Sequence, residues 1–77
     1  MKELTIQTPY IKLEQAMKLS GCAVTGGDAK NRIEEGLVKV NGAVCTCRGK
    51  KLCPGDCFEA EPVFEGEAVF SVRIAAE

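Results

Sequence analysis

The residues able to do chemistry in this chain are cations and thiols, and most of both lie in its middle. Lys30, Arg32, Lys39, Arg48, Lys50 and Lys51 fall between positions 30 and 51, opposed there only by Glu34 and Glu35, so six cations meet two anions for a net of +4. From Leu52 to Glu77 the balance reverses: Arg73 stands alone against Asp56, Glu59, Glu61, Glu65, Glu67 and Glu77, a net of −5. A nearly neutral chain with its charge segregated in this way has one polarised surface, and phosphate is the commonest partner of the positive pole. Contact is decided by charges within a Debye length of about 8–10 Å. The overall pI near 5.5 therefore does not exclude an anionic partner.

The thiols are Cys22, Cys45, Cys47, Cys53 and Cys57. An odd count with no secretory signal reads as reduced cysteine rather than a disulfide framework. Cys45-x-Cys47 and Cys53-x-x-x-Cys57 could offer four thiolates to zinc. Their spacings are not the usual C-x-x-C, however, and the hairpin register described below turns Cys45 and Cys47 inward as small apolar residues. No metal and no cofactor are expected. The chain has no His, so the usual general base is missing. A lone reactive cysteine is the one nucleophile left open, and no enzymatic activity is expected.

At 77 residues, 45% hydrophobic and 27% charged, the chain has the size and composition of one ordinary globular domain spanning 1–77. No apolar run approaches the ~20 residues that span a bilayer. The opening MKELTIQTPY lacks the apolar stretch of a signal peptide. A cytoplasmic protein with no membrane contact is expected.

The basic residues need elements to hold them. Glu3 to Gln7 alternates, with Leu4 and Ile6 on one side, and reads as a half-buried strand that Pro9 ends. Leu13, Ala16, Met17 and Ser20 recur at helical spacing until Gly21 stops the helix. Thr25, Gly26 and Gly27 enter a second helix, with Thr25 as its cap and Asp28 at its positive start. Ala29 and Ile33 form its buried stripe and Gly36 ends it. At about 100° per residue, Lys30 and Arg32 flank that stripe while Asn31, Glu34 and Glu35 face solvent.

Val38-Lys39-Val40-Asn41-Gly42-Ala43-Val44-Cys45 carries a strong hairpin signal, because Asn-Gly suits a type I′ turn. With Asn41 and Gly42 as the loop, Val40 pairs with Ala43, Lys39 with Val44 and Val38 with Cys45. Alternation then places Val38, Val40, Ala43, Cys45 and Cys47 on one face, and Lys39, Val44, Thr46 and Arg48 on the other. Arg48-Gly-Lys-Lys51 is a basic turn and Pro54-Gly55-Asp56 a second turn. Phe58 and Ala60 alternate with Glu59 and Glu61 in a further strand. Phe70, Val72 and Ile74 alternate with Ser71 and Arg73 in a last one, which returns to pair with the first. The fold class is α+β: two short helices packed on a small, mainly antiparallel sheet with a β-hairpin.

The order helix, Gly-containing turn, helix, V-x-V-N-G hairpin and P-G-D turn resembles the RNA-binding domain first recognised in small-subunit ribosomal protein S-four, the αL motif. Gly27, Ala29, Lys30, Ile33, Gly36, Val38, Val40, Asn41, Gly42, Gly55 and Asp56 carry the match, with the core motif at about 13–60. The N-terminal strand, the Arg48-to-Leu52 run and the C-terminal strand look like the small stand-alone bacterial members. Two features depart from the pattern. Cys47 stands where such relatives often carry another basic residue, and the C-terminal half is unusually acidic.

The resemblance implies a basic surface that docks on structured RNA: ribosomal RNA, transfer RNA or an assembling ribosome. On matching positions, Lys30, Arg32, Lys39, Arg48, Lys50 and Lys51 would contact phosphates. Thr25, Gly26 and Gly27 offer backbone N–H groups at a helix start, an anion site; the bland reading of the two glycines is helix entry, since no G-x-x-x-x-G-K-[ST] follows. Asn41 either reads a base edge or makes the turn. Such a surface suits folded RNA. Tyr10, Phe58, Phe64 and Phe70 are the only aromatics and none interleaves with the basic cluster, so no stacking platform for single strands is expected. A monomer without DNA specificity is expected. Two alternatives come from other classes: an interaction module using the acidic C-terminal face, and a thiolate zinc protein.

Overall fold

In the computed structural model, which describes residues 2–61 and 69–77, the alternating segments assemble into one five-stranded sheet. Phe64, Glu65 and Glu67, counted above among the aromatics and acids, lie outside the described residues. The strands are β1 (Lys2–Ile6), β3 (Val38–Val40), β4 (Ala43–Val44), β6 (Cys57–Ala60) and β7 (Phe70–Ala76). They run in the order β1-β7-β6-β3-β4. The β1–β7 pair is parallel and the rest are antiparallel, so the last strand does return to the first.

Register decides which face packs. Val38 pairs with Ala60, Val40 with Phe58 and Phe58 with Val72. These residues and Ile74 form one buried face, while Lys39, Glu59, Ser71 and Arg73 lie on the other. Helices α1 (Leu13–Leu19) and α2 (Gly26–Glu34) cover the apolar face through Leu13, Ala16, Met17, Ala29 and Ile33, all inaccessible to solvent. The α+β architecture follows from these two periodicities, two along the strands and 3.6 along the helices.

The helix ends behave as their residues dictate. Thr25 Oγ1 accepts from the Asp28 N–H at 3.1 Å, and Asp28 Oδ2 accepts from the Val24 N–H at 3.2 Å, closing the start of α2. Gly21 at φ +85° and Gly36 at φ +78° leave the two helices through the left-handed region. Lys2 Nζ donates to the Ser20 carbonyl at 2.6 Å, a cation at the negative end of α1.

The hairpin keeps the expected register, Lys39 opposite Val44 and Val40 opposite Ala43, with both turn residues at positive φ: Asn41 at +50° and Gly42 at +86°. Its face assignment is different beyond β3. Ala43 and Cys47 are exposed and Cys45 is only partly covered. The reason is that β4 is a two-residue edge strand. The chain leaves the sheet after Val44, so alternation no longer applies at Thr46, Cys47 and Arg48, and the core reaches only the margin of Cys45. One pairing has no signal in the alternation at all: β2 (Ile11–Lys12) runs antiparallel to β5 (Lys51–Leu52), burying Ile11 and Leu52.

Candidate functional site

The basic turn is fixed by its backbone. Lys50 N–H donates to the Cys47 carbonyl at 3.2 Å, closing the turn. Leu13 N–H then donates to the Lys50 carbonyl at 2.8 Å, and Glu14 N–H to the Arg48 carbonyl at 3.3 Å. The first N–H groups of a helix have no partner within it. Lys12, the residue before α1, supplies no side-chain cap, so the turn's carbonyls take that role. The side chains of Arg48, Lys50 and Lys51 are left exposed on an anchored main chain.

The β2–β5 pair adds two residues to this group. Lys12 stands directly opposite Lys51 and is exposed. Like charges opposed across strands repel, which makes the pair a poor stability device. Lys51 Nζ lies 4.8 Å from the centre of the Tyr10 ring. An aromatic does interleave with the basic cluster, contrary to the expectation from spacing. Tyr10 is forty-one residues from Lys51 in sequence, and only the β2–β5 pairing brings them together. Lys12 did carry a sequence signal: Lys12, Gln15 and Lys18 recur every three residues along the exposed side of α1.

The second group lies at the other end of α1. A β-carbon on Gly26 would sit 4.0 Å from Lys18 Cδ, so Lys18 lies against the start of α2, where Thr25, Gly26 and Gly27 present their backbone. Lys12 and Lys18 are separated by about 9 Å along the helix, at 1.5 Å per residue. Lys30 is half-buried on α2. Arg32 is partly neutralised: its Nε donates to Asp28 Oδ1 at 3.2 Å, an i,i+4 ion pair on the same helix. Burial pushes the nearby Cys22 thiol up, against the opposing pull of Arg32. Lys39 sits on the outer face of the sheet between Val44 and Glu59.

Asn41 is bonded on all sides. Its Nδ2 donates to Asp56 Oδ1 at 3.2 Å, and its Oδ1 accepts from the Cys57 N–H at 3.0 Å. Its own N–H donates to the Cys57 carbonyl at 2.9 Å. Asp56 Oδ2 accepts from the Cys53 N–H at 2.8 Å. Of the two roles open to Asn41, these bonds serve the turn. The Cys53 N–H, followed by the Asn41 amide, holds the Asp56 carboxyl below the ordinary aspartate range, with Lys50 adding to the effect. The five cysteines are free thiols, and among the described residues no three Cys, Asp or Glu gather as a metal site.

A family model described as S4 domain matches residues 4–65. The chain belongs to the S4 domain family. The S4 match takes in both helices, the hairpin, the basic turn and the Asn41–Asp56 bonds, and it stops before β7. Two relatives are 43% identical over 47 residues, 61% of this chain and 67% of the relative. One, from Escherichia coli (strain K12), bears the name "Putative RNA-binding protein YbcJ". The other, from Shigella flexneri, bears the name "Uncharacterized protein YbcJ". The S4 domain thus accounts for the order of elements that positions both basic groups.

Proposed function

We propose that this protein is a non-enzymatic, cytoplasmic bacterial RNA-binding protein that docks its basic groups onto structured RNA. Ribosomal RNA, transfer RNA and ribosome assembly intermediates are the intended targets. The observation that carries this reading is the basic turn, whose carbonyls are anchored on α1 while Arg48, Lys50 and Lys51 project beside Lys12. Anchored cations reach phosphates with little further loss of backbone freedom. Membership of the S4 domain family and the RNA-binding name of the Escherichia coli relative point the same way. Lys18 with Thr25–Gly27, and Lys30, extend the contact along α1, so that folded RNA is read through phosphates and 2′-OH groups. Lys39 and Arg32 contribute less, since each faces a carboxylate residue of the chain itself.

The test is a binding titration against folded ribosomal or transfer RNA at two salt concentrations, with duplex DNA as competitor. Affinity falls with salt as counterions are released, and each phosphate-bound cation adds about 0.7–0.9 to the slope. The K50E/K51E double variant should bind at least about tenfold more weakly and lose roughly 1.4–1.8 from that slope. Its melting temperature should stay near wild type, because both side chains are exposed. Absence of binding at low salt, or unchanged affinity in the double variant, refutes the proposal.

A further inference from the structure

Beside the basic turn runs an open groove lined by Thr8, Pro9, Tyr10, Lys12, Gln15 and Leu19, together with the end of β1. Its walls are mainly apolar: Leu19 is 68% exposed and Tyr10 39% exposed, so two large apolar side chains face solvent together. Among the described residues no Asp or Glu lines it, and the charge they carry is positive. Lys12 stands in its wall, and Lys51 holds its ammonium over the Tyr10 ring at the rim. Gln7 and Gln15 add carboxamides that can both donate and accept. A flat apolar body with polar edges and an attached anion matches these walls, and a nucleotide has that composition.

We infer that this groove binds an unpaired nucleobase of the RNA, which stacks on Tyr10 while Lys12 and Lys51 take its flanking phosphates. The inference rests on the RNA-binding reading and narrows it: the preferred ligand is folded RNA with an unpaired base next to a helix, not a fully paired duplex. Every base has a π-face, so stacking on one aromatic tolerates any sequence. Lys51 covers one face of the ring, so the base takes the other, and Lys12 and Lys51 hold the backbone on either side of it.

The chain has one tyrosine and no tryptophan, so its tyrosine fluorescence reports on Tyr10 alone. The experiment titrates the full chain with a hairpin RNA bearing an unpaired loop, and separately with a blunt duplex RNA of equal phosphate number. Tyrosine emission should be quenched by the hairpin and little changed by the duplex. Tyr10→Ala should weaken hairpin binding about tenfold, within the range of base–aromatic stacking, and weaken duplex binding much less. Tyr10→Phe should restore hairpin affinity. Quenching is read on the unaltered protein, so it decides the matter even if Tyr10→Ala folds poorly. Equal responses to hairpin and duplex overturn the inference and leave the RNA-binding reading standing. Equal quenching by an acidic peptide of matched charge also overturns it. Binding of neither RNA overturns both.

Discussion

The Asn41–Gly42 hairpin tip and the Arg48–Lys51 turn are both short, polar and glycine-containing, and the fold holds them by opposite means. At the tip, side chains bond inward: Asn41 to Asp56 and Cys57, and Asp56 to Cys53. At the basic turn, main-chain carbonyls bond inward to α1 and the side chains stay in solvent. Polar side chains engaged within the fold specify its shape. Polar side chains left free on a hydrogen-bonded backbone are available to a ligand. Arg32, paired with Asp28, belongs with the first kind and Arg48 with the second.

Asn41→Ala breaks this comparison most severely. It removes two side-chain hydrogen bonds and leaves alanine at φ +50°. The expected cost is about 2–3 kcal/mol, or a melting temperature lower by about 10 °C or more for a domain of this size. RNA affinity should be unchanged at a temperature where the variant is fully folded, the reverse of the K50E/K51E pattern. Weaker RNA binding by folded Asn41→Ala would erase the distinction between the two turns.

A pair of glycine substitutions sharpens it with a smaller effect. Gly42 has open space around it, so Gly42→Val is resisted only by its φ of +86° and should cost about 1–2 kcal/mol. Gly49, in the basic turn, also has open space but no left-handed backbone. Gly49→Ala should be neutral or stabilising by up to about 1 kcal/mol, through loss of freedom in the unfolded chain. Thermal melts of the two variants check both signs.

The smallest effect is in pH. Because the folded Asp56 carboxyl sits below its ordinary pKa of about 3.9, its contribution is present above that value. It is lost as the pH falls through the lowered one. Melting temperature followed from neutral to acid pH should fall more steeply for wild type than for Asp56→Asn in that window. Parallel curves would show that Asp56 is not held as described.

Apart from the return of the last strand to the first, what could be read from sequence was local. The Asn-Gly turn set the hairpin register, Thr25 marked the start of α2, and alternation placed Val72 and Ile74 in the core. What escaped was carried by pairings across the chain. Two-residue strands such as β2 and β5 have no periodicity, so the approach of Tyr10 to Lys51 left no trace in spacing. Cys47 faces solvent rather than the core because the strand ends at Val44 and alternation does not reach beyond it. Lys12 and Lys18 were outside the window of highest charge, although their spacing with Gln15 marked an exposed helical stripe.

The parallel pairing of β1 with β7 also sets the order in which the molecule can be built. The hairpin closes across two residues, whereas Lys2 must find Val72. Loop closure grows more costly by about 0.6 kcal/mol for each doubling of length, so the hairpin nucleates readily and the first strand docks late. β7 is the only strand that pairs with β1 among the described residues, and it is made last. On a translating ribosome, Lys2–Ile6 therefore waits unpaired until Phe70–Ala76 emerges, and folding is completed from the beginning and the end of the domain at once.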